Sequence, residues 1–516
     1  MTEFPTQPIP HTDLSRLKMA EQLLLDAENA RSDRKSSPSQ ADCSARQSAR
    51  ERLKALFDPG TGQELFRFVR NRLDKPSFSD GIVCASGEIQ GRPLLAWASE
   101  FETLGGSIGA LQTRQLNELY RLARQSGLPL VALVESGGAR VTDGMEIMEG
   151  YAETLKEAVY LSGVVPQITC VLGHCIGAPA FVATLTDFIV MDQNSTLCVA
   201  GAGVNKAATG EDLDEKALGG PDVHTRHSGA VHFVEADEAA AIARVRQLFS
   251  YLPLTQAERP PHYLCSDPCD REAPELNHAL PDSPDAPFDM LPVLKAVVDQ
   301  DSLLEVQAAF APNLITAFAQ LGGQTVGIIA NQSLVLAGAL DSKALRKMAR
   351  FLNFLSSFNY PLVCFVDVPG LMPNSAAHRE GILTYGSQAL SAIGHLKGLK
   401  VSVVVRRCFG GAYFLLNPKV GGGDLVYAWP GAMIGIMSDQ AMASFAGHNP
   451  FLRKTFEALH AQGSRMDDPF IPAAHAYLDD IIEPARTRPI LIQALKRFSN
   501  KRQLDIPPKW LPNIPL

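Results

Sequence analysis

Several short stretches of the 516-residue chain combine residue types that do chemistry. GGSIG at 105–109 matches the G-x-S-x-G turn that holds a serine nucleophile between a strand and a helix, with Ser107 in the attacking position. That turn needs a clean buried strand directly before it, and here the preceding LAWASEFETL becomes polar toward its end. His174 and Cys175 in GHCIG stand side by side as a base and a nucleophile would. Neighbours on a strand point to opposite faces, so the two do not meet easily and Cys175 reads as a core thiol. His224, His227 and His232 in HTRHSGAVH lack partner carboxylates at metal spacing, and Cys265 and Cys269 in YLCSDPCD lack a second pair at zinc-ribbon spacing. No metal site is expected.

The stronger candidates are four glycine turns: ESGGAR (135–140), GHCIGA (173–178), DVPGLM (367–372) and CFGGAY (408–413). A glycine at the end of a buried strand often only supplies a positive φ or a close backbone approach. A strand-to-helix turn without a large side chain also exposes N–H groups at a helix N-terminus, where the dipole favours developing negative charge. Two such donors aimed at one point form an oxyanion hole, which can stabilise an enolate without a strong side-chain acid. Arg140 closes ESGGAR, and Arg406 and Arg407 precede CFGGAY, so all three are candidate contacts for a carboxylate or phosphate.

The elements that must position these turns are legible as apolar runs such as PLVALVES, QITCVLG and DFIVMD, separated by helical stretches such as LQTRQLNELYRLARQ. That alternation predicts an α/β fold of repeated βαβ units around a buried sheet. The pattern then occurs a second time. LPLVALVESGGAR answers to YPLVCFVDVPGLM, with Pro129 and Pro361 232 residues apart, and VLGHCIGAPAF answers to VRRCFGGAYF, which pairs Gly177 and Ala178 with Gly411 and Ala412 at 234 residues. The expected organisation is an N-terminal helix (LSRLKMAEQLLLDAENA) and linker over 1–44, a first unit over 45–255, a Pro- and Asp-rich linker over 256–300, and a second unit over 301–516.

Composition narrows the classes of function. The net charge of −8 leaves no basic footprint for nucleic acid. Nine cysteines spread through apolar runs suit thiols in a reducing compartment better than a disulfide framework. The first residues lack the basic flank and apolar core of a secretory leader, and no apolar run approaches the ~20 residues of a membrane span. A cytoplasmic protein is expected.

Read in order, ARERLKALFDPG, EFETLGGSIG, ESGGARVTDG, GHCIGAPAFVATLTDF, KAATGEDLDEKALGG, HTRHSGAVHF, FAPNLITAFAQLGGQTVGIIANQ, LAGALDSKAL, FVDVPGLMP and FGGAY resemble the carboxyltransferase (β) subunits of biotin-dependent acyl-CoA carboxylases of the propionyl-CoA carboxylase type, in the crotonase superfamily. The resemblance spans about residues 45 to 500. It implies two tandem crotonase-like domains, each a ββα spiral, and a dimer in which the N-domain faces the partner's C-domain, with three dimers commonly forming a ring. It implies acyl-CoA on the first half, with Gly137, Gly138, Ala139, Arg140 and Phe414 contributing to the substrate site, and biotin on a lysine of a separate carrier protein entering from the second half. Gly177 and Ala178 would then stabilise a thioester enolate, and Gly411 and Ala412 the ureido oxygen of biotin. Carboxybiotin would release CO2, its nitrogen would take the α-proton, and the enolate would attack CO2.

The chain departs from the family pattern in three places. Ala178 stands where a second glycine is usual, which keeps the donor and narrows the room. The loop PNSAAHREGILTYGSQAL lacks the Gln-Glu and Arg-His pairs of the family loop PGTxQExxGIIRHGAKLL. Phe414 occupies the position after GGAY that helps set acyl-chain choice, and a large apolar side chain there favours an apolar wall. No AMKM or VMKM biotin-attachment motif is present, so if biotin is used its carrier is expected to come from another subunit. The resemblance leaves three alternatives to carboxyl transfer: decarboxylation of a carboxyacyl-CoA, action on an acyl group held by a carrier protein, and a non-catalytic scaffold. A serine hydrolase using Ser107 is a fourth.

Overall fold

The computed structural model describes residues 14–15, 17–22, 46–69, 81–283, 285–447, 453–454 and 465–501. Of the helix expected at the N-terminus, residues 15 and 17–22 are helical, and the linker after it lies outside the described residues.

The first half builds a sheet from β1 (Gln63–Leu65), β2 (Ile82–Ile89), β3 (Arg92–Ser99), β4 (Leu130–Ser136), β5 (Gln167–Ile176), β6 (Phe188–Asp192), β7 (Thr196–Cys198) and β8 (Phe233–Glu235). β1 to β3 are antiparallel. β2 and β3 join through Gln90 and Gly91, both with φ near 60°, as a primed hairpin turn requires. From β3 onward the strands run parallel in the order β3-β4-β5-β6-β8, with β7 added beside the end of β5. β4, LVALVES, is buried at every position, which is why it reads as one apolar run rather than an alternation.

The second half repeats this plan with β9 (Leu304–Val306), β10 (Leu314–Leu321), β11 (Gln324–Asn331), β12 (Leu362–Val368), β13 (Lys400–Phe409), β14 (Leu425–Ala428), β15 (Met433–Gly435) and β16 (Asp480–Ile481). The copy extends to its irregularities. β4 slips register against β5 between Val134 and Ser136, and β12 slips against β13 between Val366 and Val368. One apolar core joins the halves through Phe188, which packs edge-on against Phe318 and Phe354, while two further cores sit between each sheet and its own helices. Within the Pro- and Asp-rich stretch 256–300, the helix Met290–Val297 packs into the second sheet's core.

Strand register corrects the alignment of the two halves. Leu95 pairs with Leu130 and Gly327 with Leu362, an offset of 232 residues. Leu130 pairs with Gln167 but Leu362 with Lys400, so the second crossover is longer by one residue and the offset becomes 233. Gly177 therefore answers to Gly410, Ala178 to Gly411 and Pro179 to Ala412, one position away from the pairing read in the sequence. The letters Gly-Ala occur in both turns, and matching letters concealed the register.

Candidate active site at the glycine turns

β5 runs into Gly177, whose φ of 73° and ψ of −132° reverse the chain into the helix Ala178–Leu185. The Gly177 N–H donates to the Cys198 carbonyl at 2.9 Å and so closes the ladder between β5 and β7. Gly410 does the same at the end of β13, donating to Gly435 at 3.1 Å. Neither amide is turned toward a ligand. The next amide along is left open, because Ala178 is the first helical residue and has no intrahelical acceptor. Among the described residues its N–H donates to no backbone carbonyl. Pro179 follows and has no N–H at all.

The second turn is richer in donors. Tyr413 and Phe414 N–H groups bond back to Gly410 and Gly411 at 3.1 and 3.3 Å, while the Gly411 and Ala412 N–H groups, among the described residues, donate to no backbone carbonyl. The first turn thus offers one adjacent donor and the second offers two.

ESGGAR lies against the first turn but supplies few donors. Gly137 N–H donates to the Gly105 carbonyl at 3.0 Å, Gly138 N–H to Ser136 Oγ at 3.2 Å, and Arg140 N–H to the Ile108 carbonyl at 2.8 Å. Ala139 N–H in this turn, and the Gly370 and Leu371 N–H groups in DVPGLM, donate to no backbone carbonyl among the described residues, so each half keeps an open donor at its second turn while the other ESGGAR amides are taken up within the fold. Gly138 has φ 109°, and a Cβ there would stand 3.2 Å from the Ile176 carbonyl, so its role is close approach to the end of β5. Ala139 forms an isolated bridge with Ile108. The Arg140 side chain is buried and donates to the Ser107 carbonyl at 3.0 Å.

Arg406 and Arg407 are likewise committed inside. Both guanidinium groups grip Asp367, Arg406 at 3.1 and 2.8 Å and Arg407 at 2.8 and 3.1 Å. Burial alone would raise the Asp367 carboxyl, but the hydrogen bonds from Arg406 and Arg407 outweigh it and hold the group below the usual carboxylate range. The first half has Glu135 at the equivalent place, paired with Arg52 at 2.6 Å and Arg46 at 3.2 Å. These buried acids escaped the sequence reading, although ESGGAR and DVPGLM begin with an acid at the same offset.

The remaining candidates separate. Ser107 lies eight residues beyond the end of β3 with φ −63°, so it does not occupy a strand-to-helix elbow. Cys175 is fully buried, and burial pushes its thiol far up. His174 turns away from it and pairs with Glu215 at 2.8 Å. His224 bonds the Leu197 carbonyl at 2.7 Å, His232 is buried with Nδ1 3.0 Å from the Ile189 N–H, and among the described residues no three metal-ligating side chains gather. Cys265 and Cys269 are free and half-buried. Phe414, on the short helix Ala412–Leu415, is 61% exposed.

The carboxyl transferase domain matches residues 43–514 of this chain. The chain belongs to the carboxyl transferase domain family. This carboxyltransferase is 37% identical over 475 residues to the methylmalonyl-CoA decarboxylase subunit alpha of Veillonella parvula, covering 91% of this chain and 93% of the relative. It is 35% identical over 477 residues to the propionyl-CoA carboxylase beta chain of Roseobacter denitrificans, with 91% and 93% covered. Among solved structures it is similar to transcarboxylase 12S, described as a hexamer with hydrolysed methylmalonyl-coenzyme A bound, at 34% identity and a TM-score of 0.90 over 99% of this carboxyltransferase and 100% of that chain. Its two α/β halves are therefore two crotonase-like domains. No helix among the described residues is long and apolar enough to cross a membrane.

Proposed function

We propose that this carboxyltransferase moves a carboxyl group onto the α carbon of an acyl-CoA, with carboxybiotin on a separate carrier protein as the donor. The single observation that carries the reading is the pair of register-equivalent turns at the start of a helix after a buried strand, the first presenting one open backbone N–H and the second two. Ala178 N–H would hold the thioester oxygen as it gains enolate charge, with Gly177 setting the turn. Gly411 and Ala412 would hold the ureido oxygen, and two adjacent amides without a competing side-chain acid suit that neutral, strongly accepting group. Carboxybiotin would supply the carboxyl group when bound. The chain's own part is to position two oxygens and to keep charge-compensated acids, Glu135 and Asp367, buried behind the turns. Gly137, Gly138 and Ala139 support the acyl turn from below, and Phe414 from a second copy would wall the acyl chain.

A decarboxylase reading is favoured by one comparison, the Veillonella parvula relative named as a methylmalonyl-CoA decarboxylase subunit. One assay separates the readings: acyl-CoA and carboxyacyl-CoA substrates, each with and without a biotinylated carrier. Carrier-dependent carboxyl transfer supports the proposal, and CO2 release that needs no carrier supports the decarboxylase. Acyl-CoA binding without either reaction would leave a scaffold, and activity lost on Ser107→Ala would revive the hydrolase.

A further inference from the structure

Phe181 stands three residues beyond Ala178 in the helix Ala178–Leu185, so the two share a helix face. Side chains on a helix lean toward its N-terminus and cover the turn before their own Cα. For Phe181 that turn is the one ending in the Ala178 N–H. Pro179, Ala180 and Val182 beside it are buried, whereas Phe181 is 53% exposed. At the 233-residue offset its counterpart is Phe414, 61% exposed on the same turn of the second half. A core does not require an exposed phenyl ring, and here one recurs at equivalent places beside both sets of amides. Exposed Val199 adjoins the same turn, with its carbonyl 3.9 Å from where a Gly177 Cβ would stand.

We propose that Phe181 forms the wall of the acyl pocket on the thioester side and is a specificity-determining residue for the acyl chain. This rests on the reading of Ala178 as the thioester donor. With the thioester oxygen on that N–H, the acyl substituent must leave along the first helical turn, and the phenyl ring is the one large side chain of that turn directed outward. An apolar wall there accepts alkyl groups, excludes a charged terminus, and limits chain length by its volume.

The test is carboxyl transfer by the full-length wild-type, Phe181→Ala and Phe181→Leu proteins with a biotinylated carrier and acetyl-, propionyl-, butyryl- and hexanoyl-CoA. Thermal midpoint and sedimentation mass are measured alongside. A pocket contact worth one methylene discriminates roughly 10–200-fold, so kcat/KM for hexanoyl- over propionyl-CoA is expected to rise at least about 10-fold in Phe181→Ala and by less in Phe181→Leu, with midpoint and mass unchanged. An unchanged ratio, with all substrates slowed alike, overturns the wall while leaving the carboxyltransferase reading intact. A changed oligomeric mass overturns it in favour of a ring packed against another copy. No turnover of any acyl-CoA by the wild-type protein removes the acyl-site reading and the wall with it.

Discussion

The Gly177 N–H donates to the Cys198 carbonyl at 2.9 Å, and this bond decides which amide of the first turn is left for a ligand. With Gly177 held by β7 and Pro179 lacking an N–H, the amide left open is that of Ala178, the proposed donor. Ala178→Pro deletes that proton at the one helical position where proline is well tolerated. Loss of one oxyanion donor costs about 10²–10³ in rate. The expected outcome is a kcat lowered by that order with a thermal midpoint close to wild type. A kcat within a factor of three of wild type would remove Ala178 from the site.

Asp367 compensates two buried guanidinium groups at once. Asp367→Asn leaves Arg406 and Arg407 charged and without a carboxylate, a change that costs roughly 3–5 kcal/mol for buried pairs. Denaturant unfolding should show a loss of that size. Because the folded carboxyl is held below its ordinary value, its contribution is present above the unfolded pKa and is lost as pH falls through the folded one. The wild-type advantage over Asp367→Asn should therefore shrink only in strong acid.

Gly173 has φ 153°, and a Cβ there would lie 2.6 Å from a Glu135 carboxylate oxygen. Its counterpart in the second half is Arg406, which faces the shorter Asp367. The two halves thus solve one packing problem in opposite ways, a long acid against no side chain and a short acid against a long base. Gly173→Ala is expected to destabilise by about 1–3 kcal/mol, measured by unfolding, because the ion pairs of Glu135 must shift. A neutral effect would show that Glu135 is free to move.

His232 is buried and its Nδ1 accepts from the Ile189 N–H. Burial, reinforced by the charge of Arg350, holds its pKa well below the ordinary value. A depressed histidine contributes stability that is present above the unfolded value, about 6.5, and is lost as pH falls below it. His232→Asn keeps an acceptor and removes the titration. Its unfolding free energy should vary less than that of wild type between pH 7 and pH 5, where one proton changes stability by up to about 1.4 kcal/mol per pH unit. Parallel curves for the two proteins would contradict this.

Phe414→Asp places a charge on an exposed site, so the thermal midpoint should hold while acyl preference moves from alkyl toward polar chains by about 10-fold or more in kcat/KM. Equal losses with every acyl-CoA would speak against a role in specificity.

The duplicated α/β plan and the four glycine turns were legible in the sequence, because buried parallel strands read as unbroken apolar runs and strand ends as glycines. The features that chain distance could not place share one cause. Arg140, Arg406 and Arg407 look like ligands when only their distance along the chain from a turn is known. In the fold Arg140 donates to the Ser107 carbonyl and the other two close on Asp367. ESGGAR looks like a full donor array until Gly105, Ser136 and Ile108 are seen to accept the N–H groups of Gly137, Gly138 and Arg140, which leaves Ala139.

The sequence by itself determined that one α/β unit occurs twice and that each copy ends a central strand in a small-residue turn beside a helix. Only the tertiary structure decided which amide at each turn remains open. That depends on where β7 and β15 pair beside β5 and β13, and on a crossover longer by one residue, which moves Gly177 opposite Gly410 rather than Gly411. Residue types fix what a turn can be; hydrogen bonds made across the fold, between residues distant in the chain, fix which of its groups are left to act.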